Sequence, residues 1–158
     1  MALKITLKPH ERMVINGCVI RNSDRRHVLI IENRADVVRG EDLLGEDIPA
    51  TPVKEAYFLI QTALIQPDLR SVLVPKIQTR LVDIATIYSV HMTDGVFEAA
   101  NFVAVQDFYK AMAALRTLMR HEEEVQATLD RQLGEDAPQA SPVSGVLEPV
   151  VGADFAGE

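Results

Sequence analysis

From Leu3 to Lys8 apolar and polar residues alternate strictly: Leu3, Ile5 and Leu7 against Lys4, Thr6 and Lys8. A period of two predicts a strand with one face buried. Pro9 and His10 interrupt it. Two further runs, Arg12–Ile15 and Cys18–Asn22, flank Asn16-Gly17. That dipeptide accepts positive φ at both central turn positions, so it predicts a hairpin. Asn22-Ser23-Asp24 predicts another turn, because its side chains can bond nearby backbone amides. Val28-Leu29-Ile30-Ile31 is unbroken, apolar and rich in β-branched residues, and it reads as the most buried strand. Ala35–Arg39 is a fifth short strand, ended by Gly40. Short strands joined by turns predict a small barrel or a crossed pair of sheets, with room for a partner to complete it.

Past residues 43–50, a Gly- and acid-rich connector, the period changes. Thr51-Pro52 is a helix start, with Thr as the cap and Pro at the first helical position. That helix carries Tyr57, Ile60 and Leu64 and stops before Pro67. Pro67-Asp68 predicts a short helical turn, and Pro75 opens the next helix. Ile77, Leu81, Ile84, Tyr88 and His91 step by three and four along its face, with Gly95 placed as its C-terminal cap. A last, long helix begins at Phe97 or Asn101 and ends before Gly134. Its apolar stripe is Phe102, Val105, Phe108, Met112, Leu115 and Met119. A helix of about 30 residues spans roughly 45–50 Å and needs another helix beside it. A helical hairpin is expected, with the far end exposed or paired between subunits. The organisation is therefore a β-domain over 1–44, a helical hairpin domain over 51–133 and a tail over 134–158. The tail holds Pro, Gly, Ser, Ala and acids, and is expected to be disordered.

Composition changes the picture at one point. The chain has 158 residues and a net charge of −7. Within residues 1–40, Lys4, Lys8, Arg12, Arg21, Arg25, Arg26, Arg34 and Arg39 oppose only Glu11, Asp24, Glu32 and Asp36. Eight against four is +4, which leaves −11 for the remainder. A basic front on an acidic chain points to an anionic partner. Cys18 is the only thiol, so an intrachain disulfide and a Cys-based metal site are excluded. The N-terminus lacks the apolar core of a signal peptide, and no run of about 18 apolar residues suggests a membrane span. A soluble protein of the reducing cytoplasm fits best.

Enzyme readings find little. There is no phosphate-binding Gly loop, dinucleotide fingerprint or zincin helix. His10, His27, His91 and His121 are scattered, so no metal or cofactor is expected. His91 lies on an apolar stripe and reads as structural. Cys18 reads as a small packed side chain, and Glu122-Glu123-Glu124 as a solvated face. The basic residues carry more. Arg25 and Arg26 project from a turn, and Arg39 ends a strand beside Gly40, where backbone is accessible. Guanidinium groups bind phosphate in pairs of hydrogen bonds and stack on exposed bases. The plainer reading is that each Arg pairs with a nearby acid, Arg39 with Glu41 or Asp42. The surface aromatics common in stacking modules are absent.

Several short segments, in order, resemble one family. Leu7-Lys8-Pro9-x-Glu11, Ile15-Asn16-Gly17, Asp24-Arg25-Arg26, Ile31-Glu32-Asn33, Val38-Arg39-Gly40-Glu41-Asp42, and Thr51-Pro52 with Tyr57 and Gln61 resemble the FlbT repressors of flagellin synthesis. The resemblance covers roughly residues 3–130. It implies a post-transcriptional repressor that associates with the 5′ untranslated region of flagellin mRNA, lowers translation and promotes decay of the message. It brings no catalytic residue. Residues 2–44 also resemble the carbon-storage regulators, small intertwined β-dimers that bind RNA loops. Leu3–Glu11 falls in register with that family's first strand and turn, and Arg39-Gly40-Glu41-Asp42 with the segment that closes its last. Arg39 would then match its principal RNA-binding arginine. Leu7 departs, standing where that family has a second such arginine.

The fold expected is α+β: a β-barrel-like N-terminal domain, carbon-storage-regulator-like, followed by a long helical hairpin. The function expected is repression of flagellin synthesis through its mRNA leader, without catalysis. Arg25, Arg26 and Arg39 are the expected direct RNA contacts, with Lys4, Lys8, Arg21 and Arg34 on phosphates. A homodimer or higher homo-oligomer is expected, since edge strands and an overlong helix leave surfaces to cover. The rival is a protein-binding adaptor or chaperone-like regulator of flagellar assembly, possessing a flagellar regulatory partner and acting on RNA only indirectly. The net charge of −7 favours the rival, because long-range repulsion opposes RNA.

Overall fold

The computed structural model describes residues 2–47, 51–88 and 90–135, with side chains throughout except at 90–92. The expected tail lies outside the described residues from 136 onward, and so does the side chain of His91. The architecture is α+β. Five strands, β1 (Leu3–Leu7), β2 (Arg12–Ile15), β3 (Cys18–Arg21), β4 (His27–Ile31) and β5 (Val37–Arg39), precede four helices. These are α1 (Pro52–Ile65), α2 (Arg70–Ile87), α3 (Val90–Ala104) and α4 (Phe108–Glu135).

The strands form two antiparallel sheets rather than a barrel. One is β1-β4, the other β3-β2-β5. The barrel-like expectation is therefore corrected to a pair of sheets. The reason lies in the alternation along β2. Met13 packs with Ile5, Leu7 and the half-buried Leu29 and Ile31 of the outer sheet. Val14, one residue on, points the other way and joins Val38 in the core with the helices. Met13 and Val14 are both fully buried. The three-stranded sheet is thus covered on both faces at β2 and β5, though its edge strand β3 is largely exposed, and the two-stranded sheet is covered on one face only. This corrects the reading of Val28–Ile31 as the most buried strand. Val28 and Ile30 are 50% and 61% exposed, because β4 lies in the outer sheet and turns them to its open face. Cys18, expected to be packed, is exposed at the start of the edge strand β3.

Asn16 and Gly17 have φ of 49° and 81°, the positive values their turn requires. Asn16 also ties this turn to the β4–β5 loop. Its amide donates to Asp36 O at 2.8 Å, and its Oδ1 accepts from Asp36 N at 2.9 Å.

The helices differ from the expected hairpin in three places. The turn Pro67–Leu69 runs straight into α2, which begins at Arg70. Pro75 therefore lies inside α2, not at its start. What reads as one long helix from Phe97 is two, because the chain breaks at Val105–Asp107. Gln106 has φ of 59°; its amide donates to Val103 O at 3.0 Å, and that of Asp107 to Phe102 O at 2.8 Å. This is the paired backbone bonding that closes a helix around a left-handed residue, a place where Gly is usual. Asp107 then caps α4, accepting from Lys110 N at 3.1 Å. Gly95 is not a cap. It sits inside α3, where an added Cβ would lie 3.3 Å from Leu118 Cδ1, so its smallness brings α3 close to α4. Each helix packs on two others, in the cyclic order α1, α2, α3, α4.

Three side chains fasten the connector after β5 to this helical body. Gln61 of α1 accepts from Leu44 N at 2.8 Å and donates to Leu44 O at 2.9 Å. Tyr57 donates its hydroxyl to Asp42 O, and burial raises the pKa of its phenol. Arg116 of α4 lies 3.6 Å from the Asp42 carboxylate. Glu122, expected on a solvated face, instead joins three helices. It accepts from Thr51 Oγ1 at 2.6 Å, at the cap of α1, and from the Tyr88 hydroxyl after α2. Glu123 pairs with Lys54 at 3.4 Å. Beyond Glu122, α4 is exposed, and Val125, Leu129 and Leu133 carry an uncovered apolar stripe along it.

Gln106→Gly should raise stability by about 0.5–1 kcal/mol, since a non-Gly residue in left-handed conformation costs roughly 1–2 kcal/mol and Gly returns part of this as chain entropy. Gln106→Val should lower it. Thermal melts of the two variants check both signs.

Candidate nucleic-acid interface

Antiparallel pairing decides which basic residues meet. Leu7 lies opposite His27, Arg12 opposite Arg21 and Met13 opposite Arg39. The ends of β1, β3 and β5 therefore coincide with the starts of β2 and β4. Lys8, Arg21, Arg25, Arg26 and Arg39, all expected as contacts, come to this one end of the β-layer. Lys4 does not. It stands mid-strand on the outer sheet, opposite Ile30. Arg34 lies in the β4–β5 loop at the other end. The sequence reading also missed Arg12, which joins the cationic end.

One buried amide holds this end together. Asn22 is 8% exposed. Its Nδ2 donates to Lys8 O at 2.8 Å and Arg25 O at 2.7 Å, with Leu7 O at 3.3 Å. Its Oδ1 accepts from Ser23 N at 2.9 Å and meets His27 Nδ1 at 3.0 Å. His27 Nδ1 is also 3.0 Å from Arg25 O. Both oxygens have only lone pairs to offer, so Nδ1 carries a hydrogen. The backbones close the same seam: His10 N donates to Ser23 O and Asn22 N to Glu11 O, each at 2.8 Å. The turn that bears Arg25 and Arg26 is thereby fixed to the end of β1, while both side chains remain exposed.

Arg39 is held more firmly than expected, and by a different acid. Its Nη2 lies 3.4 Å from both Glu11 Oε1 and Thr6 O, and its side chain is 40% exposed. Its Nε is buried without a hydrogen-bond partner among the described residues. Glu11 also accepts from Lys8 N at 2.8 Å. That backbone bond, opposed by desolvation and aided by Arg39, keeps the Glu11 carboxyl below its ordinary value of 4.5. Among the described residues, Lys4, Lys8, Arg12, Arg21, Arg25, Arg26 and Arg34 form no ion pair. Of the other acids at this end, Asp42 faces Arg116, and Asp24 and Glu41 are exposed.

Gly40 belongs here for a steric reason. A Cβ on it would lie 2.5 Å from Arg12 O, so only Gly lets the chain pass so close to β2. A cleft of about 450 Å³ opens beside it, between the β-layer and α1, with His10, Arg12, Val19 and Gln61 on its walls. Among the described residues no group of three or more His, Cys, Asp or Glu could hold a metal ion, and no helix is long and apolar enough to cross a membrane.

The chain is an α+β protein that collects basic side chains at one end of its β-layer, most of them without an ion pair among the described residues. The chain belongs to the flagellar protein FlbT family, whose model matches residues 3–126. The flagellum biosynthesis repressor protein FlbT of Caulobacter vibrioides is 30% identical over 125 residues, covering 78% of this chain and 89% of the relative. A probable flagellum biosynthesis repressor protein FlbT of Rhodopseudomonas palustris is 34% identical over 128 residues, covering 79% and 98%. No solved structure matches the chain.

The lowered Glu11 carboxyl sets a pH dependence. A group with a depressed folded pKa contributes stability above its unfolded value, and that contribution is lost as pH falls through the folded one. Glu11→Gln should therefore melt below the natural protein at pH 7, with the gap nearly constant down to pH 5 and closing below about pH 4.5. Circular-dichroism melts from pH 7 to 3 measure the gap.

Proposed function

We propose that this protein represses flagellum biosynthesis by binding the 5′ untranslated region of flagellin mRNA with the cationic end of its β-layer. Binding there lowers translation and promotes decay of the message. The observation that carries the reading is topological. In a chain of net charge −7, the fold gathers Lys8, Arg21, Arg25, Arg26 and Arg39 at one end, and among the described residues only Arg39 of these forms an ion pair. The names of the relatives support repression, since they are called flagellum biosynthesis repressors. Single-stranded loops suit such a site, because their splayed bases can stack on Arg and their phosphates remain accessible. Arg25 and Arg26 make the direct contacts. Arg39 contributes while bound to Glu11, and Lys8 and Arg21 take phosphates. Lys4 and Arg34 extend the path of the RNA away from this end. Repression follows from blocking the ribosome or exposing the message to a nuclease of the cell.

A second reading has one observation of its own. The uncovered stripe of Val125, Leu129 and Leu133 on α4 offers an apolar helix face to a protein partner or a second copy. In that reading the protein is an adaptor in flagellar assembly, and RNA effects are indirect.

A salt titration of binding to a flagellin leader RNA separates the two. Direct binding gives a slope of several phosphate contacts, and no binding at low salt favours the adaptor. Replacing Arg25 and Arg26 together by Ala should weaken binding about tenfold or more, at about 1–3 kcal/mol per charge-assisted contact, and flatten the slope by one or two units. Arg39→Ala should weaken binding and also lower the melting temperature, because Glu11 loses its ion-pair partner.

A further inference from the structure

Arg12 and Arg21 are paired residues in the β2–β3 hairpin, directly opposite across the strands. Both are exposed. Directly opposed residues of an antiparallel pair project from the same face with Cβ atoms about 4.5–5.5 Å apart, and two like charges there are destabilising. No acid among the described residues relieves them by an ion pair. The carboxylate of Glu11, next to Arg12 in sequence, is engaged by Lys8 N and Arg39.

The face they share is the one that bears Val14 and Val19, the face turned to the helices. Val14 is buried beneath the helices, whereas Val19 is 41% exposed. The arginines therefore stand at the rim where the helical cover ends. Arg12 lines the cleft of about 450 Å³ with His10, Glu11 and Val19, and Gly40 forms its nearby wall. An anion at this rim would meet two exposed arginines that project from the same face of the hairpin.

We propose that Arg12 and Arg21 form a phosphate clamp, a two-arginine site for a phosphate group at the mouth of the cleft between the β-layer and α1. Two cations held at a cross-strand spacing favour an intervening anion, and the planar fork of Arg matches the oxygens of phosphate. An anion between them reduces their mutual repulsion, so occupancy stabilises the hairpin. Taking the phosphate to be a phosphodiester of the leader RNA rests on the function proposed above. The clamp itself does not. It adds Arg12 to the interface and continues it from the Arg25–Arg26 turn toward the helices.

Thermal melts of the full chain with sodium pyrophosphate, against sodium chloride at equal ionic strength, test the clamp. The natural protein should gain at least about 2 °C with pyrophosphate beyond the chloride control. Arg12→Glu and Arg21→Glu each place opposite charges across the strands. Each should melt higher than the natural protein in low salt without pyrophosphate, and lose the pyrophosphate gain. Arg131→Glu, on exposed α4, changes the net charge equally and should keep it. No gain in the natural protein, or the same gain in all four proteins, overturns the clamp. The leader RNA provides a separate arm. If it binds the natural protein and both glutamate variants equally, the clamp is overturned and the proposed function stands. If it binds none of them while the pyrophosphate pattern holds, the proposed function falls and the clamp is supported.

Discussion

The burial of β2 on both faces is the constraint on which the rest depends. Four residues are too few to hold a strand in place by their backbone bonds alone. Met13 and Val14, adjacent and fully buried, point in opposite directions and need opposite covers. The outer sheet supplies one and the helical body the other. Full burial of such side chains is worth about 1.5–3 kcal/mol each. Pairing with β3 and β5 then follows, and the strand ends align. The cationic end is a consequence of that alignment, since it collects residues at or just past the ends of β1, β3 and β5 and at the start of β2.

A layer so placed has polar backbone to satisfy where it meets the helices. Gln61 matches both the N–H and C=O of Leu44, and Tyr57 takes the carbonyl of Asp42. These side chains set the position of the connector and hence of β5. Asn22 does the same work at the other seam. Its amide uses donors and acceptor alike, so the Arg25–Arg26 turn is held by the end of β1 and does not depend on the charges it carries. Exposed, mutually repelling arginines are tolerated because the neutral hydrogen bonds beneath them keep the turn in place.

Much of this was legible beforehand, and the misses have physical causes. Asn16-Gly17 gave the hairpin, and counting outward from it pairs Arg12 with Arg21. That signal was available and unused. Thr51-Pro52 gave the start of α1. The break at Gln106 carried no signal, because a Gln in left-handed conformation looks like any other residue of a helical stripe. Gly95 misled for the converse reason: it serves the approach of α3 to α4, which is a matter of packing rather than of chain direction.

The amino-acid sequence by itself determined the strand and helix periods, the α+β order, the asymmetry of charge and the family. Those are properties of neighbours along the chain, fixed by local periodicity and by short motifs. Tertiary structure alone decided which sheet each strand joined, that β2 rather than β4 was the buried strand, and that Glu11 rather than Glu41 or Asp42 held Arg39. It also decided that Arg34 stood apart from Arg25 and Arg26 while Arg12 stood with them. Each of these depends on residues distant in sequence meeting across a turn or a layer. An apolar run states that it prefers burial, but only packing states what covers it and how completely.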